Sequence, residues 1–503
     1  MARSRGGAIG RGWRRFRRRP ARVQALWVVA VVVVVAGVVV GVALGSHGTT
    51  GSGSAATSGL STSGPGGVGV DQASTSSRGV SAATINVVFP VADLNALAGN
   101  IGFATDTEFG AQVAAIHTYV NEVNDQGGIN GRKINPMIVH YDATSETNMR
   151  ALCKQWTEGS PPVFAVVDGL GSWTGDNQLC ITQEGHTPMI GEWTTVSDWT
   201  RLGSPYLWWT GPDQSAILKT LVSWGTSAGL IGPGVKVGVV AGDRTSDQLA
   251  LHEYLLPELA AAGITSVVET IPANPSNSAS TDSAAPLVVQ RLKADGVQSV
   301  IPLIPFNVMF PYLAAESNDK YFPKLLLSDY EGSIQSSLGL IPFPDEQALE
   351  GQEGVTVFTL GGTDAPVPES LGGYNPGVAS CYETWKAHNP PTDPSVSPYI
   401  EEQGPIASWC QAIRLFATAA RNAGPDLTRR SFVQAMAAIQ DYQGTLTPTL
   451  SYSATKFAGP VQYQVVSLHN NVPPSPLCVL TYSGKPQGTC WHVVQSWQPL
   501  ASG

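Results

Sequence analysis

Two short runs set small hydroxyls beside indoles: Ser172-Trp173-Thr174 and Trp193-Thr194-Thr195. Each follows a β-rich stretch, Val163–Asp168 and Pro188–Glu192, and so falls where a strand gives way to the next helix. Hydroxyls and unpaired backbone N–H groups at a helix start can hold an anion such as a carboxylate. The same residue types also serve as ordinary helix caps. Further along, three more strand ends carry Asp243, Phe306 and the pair Tyr330-Glu331. A carboxylate at such a place can accept a cationic group, and an aromatic ring can pack on an apolar one. In doubly wound α/β sheets, ligands bind outside the carboxyl ends of the strands, so these ten residues form the candidate binding set. Trp208 belongs to the same aromatic group, with core packing as its alternative role.

Spacing for catalysis is poor. Gly169-x-Gly171-x-x-x-Gly175 follows a strand and opens a helix, with Glu192 ending the next strand, which imitates a dinucleotide site. Its spacing is one residue too long, however, and it follows the third strand of its series rather than the first. There is no G-x-S-x-G, and none of the eight His lies in an H-E-x-x-H; His117 and His140 read as structural. The six Cys lack the short Cys/His spacings of a metal site. No catalytic residue, metal or cofactor is expected.

The elements that would position the candidates alternate strand and helix. The first series has strands at Thr84–Pro90, Ile134–Tyr141, Val163–Asp168, Pro188–Glu192 and Pro205–Trp209. Helices over Thr107–Gln126, Glu146–Trp156 and Gly175–Glu184 separate them, the first ending at Gly127-Gly128. The second series has strands at Val235–Ala241, Ser266–Ile271, Ser299–Ile304 and Lys324–Ser328, with helices over Asp247–Ala262, Ala285–Ala294 and Asn307–Ser317. A strand over Gly354–Thr359, helices over Val378–Ala387, Glu402–Ala423 and Arg429–Ile439, and a β-hairpin from Val461 complete the chain. Two βαβα series imply two doubly wound sheets, each covered on both faces.

The N-terminal part has another character. Nine Arg and no acid precede Ala25–Leu44, twenty residues without a charge, which is the length of one membrane-spanning helix with its N-terminus in the cytoplasm. A cleaved secretory signal is the alternative. The Gly/Ser/Thr-rich stretch Gly45–Ala82 reads as a linker. Beyond it the chain is expected outside the cytoplasm, anchored to the cell membrane or secreted. That remainder holds 20 of the 29 basic residues against all 38 acidic ones, which argues against a nucleic-acid partner. Six Cys in an oxidising compartment read as disulfides; nearest-neighbour pairing gives Cys153–Cys180, Cys381–Cys410 and Cys478–Cys490 among 15 possible connectivities.

The run Tyr119–Tyr141 (YVNEVNDQGGINGRKINPMIVHY), followed by Asp142, resembles the first helix and second strand of the leucine/isoleucine/valine-binding proteins. These are type I periplasmic binding proteins that serve ABC importers. Val235–Ala262 and Leu325–Gly332 look like the opening of their second lobe and a strand delivering a Glu-Gly pair to the cleft. The Cys153–Cys180 pair looks like their first-lobe disulfide. The resemblance implies three crossings between lobes, near Thr210–Asp213, Gly351–Gly354 and Phe457–Val461. It also implies that Glu331 accepts a ligand's α-ammonium and that Phe306 packs on the ligand. The family's Ser/Thr run after the third strand is replaced here by Gly-Ser-Trp, which points away from a plain α-amino acid.

The expected architecture is therefore an α/β, type I periplasmic binding protein fold: a three-crossing hinge joins two parallel-sheet lobes, preceded by a transmembrane helix (25–44) after a basic tail (1–24), and by a linker (45–82). Lobe one is expected to comprise 83–212 and 354–457, and lobe two 213–353 and 458–503. The expected function is a solute-binding protein, not an enzyme, that closes on an amino acid or a related aromatic or aliphatic acid and delivers it to the permease of an ABC importer. A ligand-sensing ectodomain with a partner signalling subunit is the alternative, and an exported Rossmann-like enzyme a more remote one.

Overall fold

The structure is a computed structural model and describes residues 69–92, 109–142, 145–169, 176–191, 197–274, 277–330, 350–359, 376–389, 403–472 and 488–501. The segment Ala25–Leu44 lies outside these residues. Among the described residues no helix is long and apolar enough to cross a membrane.

The first sheet is built on β1 (Thr84–Ala92). Its neighbours are β2 (Lys133–Tyr141), β3 (Ala165–Asp168), β4 (Met189–Gly191) and β5 (Leu207–Trp209), in the order β2-β1-β3-β4-β5, all parallel. Side-chain alternation along β1 supplies both faces. Ile85, Val87, Phe89 and Val91 join one core with Tyr119 and Val120 of the helix Phe109–Asp125 and with Trp409, Ile413 and Phe416 of the helix Gln403–Asn422. Val88 and Ala92 join the opposite core with Met149, Trp156 and Ile181. Disulfides tie a helix pair on each face, Cys153–Cys180 and Cys381–Cys410. The Cys478–Cys490 pair lies outside the described residues.

The second sheet repeats the plan. β6 (Val237–Gly242), β7 (Ser266–Ile271), β8 (Ser299–Leu303), β9 (Lys324–Ser328) and β10 (Glu353–Thr356) run parallel in the order β7-β6-β8-β9-β10. This is the first sheet's order again. A small separate hairpin of β11 (Tyr442–Gln443) and β12 (Thr449–Leu450) comes next in the chain. Two long antiparallel strands then extend the second sheet, β13 (Gln462–Val472) against β10 and β14 (Gly488–Pro499) at the edge. That sheet is thus mixed, where two parallel sheets were expected.

Two sequence expectations differ from this arrangement. The boundary between 353 and 354 cuts through β10, which pairs with β9 as the fifth parallel strand of the second sheet, Gly354 opposite Leu327. The crossing follows it, at Val357–Thr359, where the Thr359 N–H donates to the Leu446 carbonyl at 2.7 Å. The helix Gln214–Ser227 was not anticipated. Its buried residues, among them Gln214, Ile217, Leu218, Thr220, Leu221 and Trp224, lie on nearly every side. A helix covered all round shows no one-sided apolar stripe.

Ahead of β1, the chain from Gly69 to Val80, read from sequence as part of the linker 45–82, is instead fastened to the first sheet's outer layer. The Asp71 carboxylate accepts from Gln434 at 2.7 Å, and Arg430 Nε donates to the Ala73 carbonyl at 2.8 Å. The backbone N–H groups of Arg430 and Arg429 donate to Ser74 and Ser76, and the Tyr206 hydroxyl accepts from the Ser74 N–H at 2.7 Å.

Candidate functional site

A parallel sheet of order 2-1-3-4-5 reverses its winding between the strands ranked first and third, and the crevice outside their carboxyl ends is the ligand position. In the first sheet this is the space beyond Ala92 and Asp168; in the second it is the space beyond Gly242 and Leu303.

On the first side, Asp168 is fully buried, and Gly169 lies against the indole of Trp409. A Cβ at Gly169 would overlap that ring, and one at Gly191 would overlap the indole of Trp209, so glycine at two strand ends lets two indoles close down on the sheet. Trp209 is held by Nε1–H donation to Thr200 Oγ1 at 3.0 Å. Trp208 is core: its ring lies 4.7 Å from Phe457 and 5.7 Å from Tyr452, with no exposed surface. Ser172, Trp173, Thr174, Trp193, Thr194 and Thr195 lie outside the described residues.

On the second side, Asp243 is exposed and its Oδ1 accepts the Ala273 N–H at 2.9 Å, linking the ends of β6 and β7. Four residues on, Asp247 is fully buried and accepts both arms of Arg244, Nε at 2.8 Å and Nη2 at 2.7 Å. The Tyr330 hydroxyl donates to the same carboxylate. Tyr330 is itself fully buried, so its place is beneath the crevice surface rather than on it. Gly242 makes this seat possible, because a Cβ there would overlap Asp247 Oδ2. Beside it, Asp329 accepts from Thr356 Oγ1 at 2.7 Å and from the Val357 N–H at 2.6 Å. Burial pushes the Asp329 carboxyl up to about 7, against the pull of those two donors. Glu331 and the side chain of Phe306 lie outside the described residues.

The carboxylates Asp247 and Asp329 escaped the sequence reading. The available signal was weak: Arg244 and Asp247 stand three apart at a helix start, which reads as a surface ion pair. Only the sheet shows that Asp247 is underneath.

Three chain passages connect the sheets side by side. Trp209 exchanges backbone hydrogen bonds with Phe457 and Gly459. Thr447 Oγ1 donates to the Thr210 carbonyl at 3.2 Å, and Gln464 Nε2 donates to the Phe358 carbonyl at 2.8 Å. The Gln411 carboxamide oxygen accepts the N–H groups of Thr445, Leu446 and Thr447. A cavity of about 820 Å³ opens beside the passages, lined by Ser197, Arg201, Asp213, Lys456, Phe457 and Val461 among others. Next to it a hydrogen bond joins the two halves, from the Tyr254 hydroxyl to Asp198 at 3.1 Å. Among the described residues no group of three or more His, Cys, Asp or Glu could hold a metal ion.

Residues 102–324 match the family model described as periplasmic binding protein. No curated protein sequence matches the chain. Many solved structures share the fold, three of them as follows. A fatty acid ABC transporter substrate-binding protein from Thermomonospora curvata is 17% identical, with a TM-score of 0.58 over 84% of this chain and 94% of that one. A solute-binding protein of an ABC transporter from Rhodopseudomonas palustris BisB5, in complex with 3,4-dihydroxybenzoic acid, is 15% identical, with a TM-score of 0.59 over 83% and 98%. A branched-chain amino acid ABC transporter protein from Thermus thermophilus with bound valine is 14% identical, with a TM-score of 0.56 over 84% and 98%. With its doubled 2-1-3-4-5 sheets and the match over 102–324, the chain has the fold of the type I periplasmic binding proteins and is similar to the leucine/isoleucine/valine-binding proteins.

Proposed function

We propose that this chain is an extracytoplasmic solute-binding protein that closes its two sheets on a small carboxylic acid and presents it to the permease of an ABC importer. One observation supports the reading above all: the same winding occurs twice, and each copy reverses at strand ends beside the side-by-side passages. A ligand held between two such ends contacts both halves only when they approach, so binding and closure are one equilibrium. Fold relatives crystallised with valine and with 3,4-dihydroxybenzoic acid favour a carboxylate as the shared chemical handle. The test is a thermal-shift screen over amino acids, their deaminated analogues, hydroxybenzoates and fatty acids, followed by small-angle scattering with the best binder. The radius of gyration is expected to fall at saturation, and an unchanged radius would rule out closure.

The sequence resemblance gives Glu331 the task of accepting a ligand ammonium. Glu331→Gln keeps the side-chain shape and removes the charge. Affinity for an amino acid is then expected to fall by about 1.5–3 kcal/mol, roughly 10- to 150-fold. Affinity for an acid without an amine is expected to stay unchanged, and Trp173→Ala or Trp193→Ala is then the damaging change, through lost stacking area. Titration followed by tryptophan fluorescence separates the two cases. If none of the three substitutions weakens the best ligand, the binding residues have been misplaced.

A further inference from the structure

The edge of the second sheet carries two imidazoles that the solute cleft does not use. On β13 and β14, Ser467 pairs with His492 and His469 with Cys490, so His469 and His492 are diagonal neighbours across the hairpin. Their ring centroids are 5.3 Å apart, with ring planes at 71°. His469 Nδ1 lies 3.1 Å from Glu350 Oε1. A carboxylate at that distance keeps the proton on Nδ1 and so leaves the lone pair of His469 on Nε2. Nε2 of His492 is shielded from water and has no hydrogen-bond partner among the described residues. The two imidazole rings are thus held close together, and the strand that carries His492 has no Lys or Arg to repel a cation.

We propose that His469 and His492 form a two-imidazole site for a divalent first-row transition-metal ion, with Glu350 as the carboxylate that orients His469. Three observations converge on it. With metal–nitrogen bonds of about 2.0–2.1 Å, two imidazoles on one tetrahedral ion bring their ring centroids to roughly 5 Å, close to the spacing already present. The Glu350–His469 contact is the arrangement that fixes tautomer and ring direction in metal-bound histidines. Nε2 of His492, without a partner among the described residues, would gain one from an ion bound between the rings. Imidazole donors favour Zn²⁺, Ni²⁺ or Cu²⁺ over Mg²⁺ and Ca²⁺, and water fills the remaining positions. The ion would pin the outer two strands of the second sheet together, away from the solute crevice, so the site stands or falls separately from the solute-binding reading.

The test is calorimetric titration of the purified full chain with Zn²⁺ and with Ni²⁺, no solute being present. One saturable ion per chain is expected in the wild type. His469→Gln and His492→Gln should each weaken it tenfold or more, and Glu350→Gln by roughly tenfold, as loss of an orienting carboxylate does. Mg²⁺ should give no heat. A second measurement uses only the wild type: Zn²⁺ should protect the partly exposed His469 from acylation by diethyl pyrocarbonate, read by peptide mapping. Absence of saturable binding, undiminished binding in the doubly substituted protein, or equal acylation with and without Zn²⁺ would each overturn the proposal.

Discussion

Asp247→Ala is expected to destabilise the second half of the molecule by roughly 3–5 kcal/mol, the range seen when one partner of a buried ion pair is removed. The carboxylate has no solvent exposure, whereas the Arg244 side chain retains 28%. Water can therefore recover part of what the guanidinium loses, which sets the ion-pair share at the low end. Tyr330 adds to it, because its hydroxyl is buried and loses its acceptor, a penalty of about 1–3 kcal/mol. Asp247→Asn should cost less, since an amide oxygen still accepts from one donor. Tyr330→Phe should cost least, about 1 kcal/mol, because the hydroxyl leaves with its own desolvation cost and Asp247 keeps both bonds from Arg244. Urea unfolding of the three variants gives the ranking. A loss below about 1 kcal/mol in Asp247→Ala would mean that the triad does not form.

The second large effect is one of pH. Asp329 has its carboxyl raised from an ordinary 3.8 to about 7. The folded protein therefore holds this proton more tightly than the unfolded chain does. Between about pH 4 and 7 the folded state binds one more proton than the unfolded state, so stability falls as pH rises through this window. Above about 7 both states are ionised and the contribution is flat. A rise of that size sets the total at on the order of 4 kcal/mol. Asp329→Asn removes the titration while keeping an oxygen for the Val357 N–H. Stability measured at pH 4.5 and 8 should then show wild type minus variant becoming less favourable by several kcal/mol at the higher pH. A difference that stays constant across this window would show that Asp329 is ionised throughout. Because Asp329 directly follows β9 and bonds Thr356 and Val357, where the chain leaves β10, its protonation bears directly on the second passage between the sheets.

Much of the architecture was legible because strands and helices here alternate in their own periods. Ser266–Ile271 and Lys324–Ser328 are strands at those bounds, and most other elements fall within a few residues of their expected ends. What the sequence hid was where a strand belongs once formed. Glu353–Thr356 reads as a strand in any context, but its partner depends on which of two sheets has a free edge, and a local pattern carries no such information. The same holds for the site. Strand ends point to Asp243 and Tyr330 by position alone. Whether a side chain at a strand end faces the crevice or the core is decided by its neighbours: Gly242 makes room beneath for Asp247, and Tyr330 follows it inward. Trp208 and Trp409 show the same limit, since a large indole next to a crevice packs into the core whenever a glycine or a second ring makes space for it.

The fastening of Gly69–Val80 has a mechanical consequence. Among the described residues, the clips that hold this segment, from Asp71 on Gln434 to Ser76 on Arg429, are made to the first sheet's own layer. Tension arriving at Gly69 is therefore shared in shear across several parallel bonds and delivered to that half of the molecule alone. If the two halves move relative to one another, the first sheet is the stator of the pair and the second the rotor, with the three passages as the shaft between them. A load on the upstream chain then reaches the second half through those passages and the Asp198–Tyr254 bond, and the resistance of that bond becomes a matter of torque about the passages.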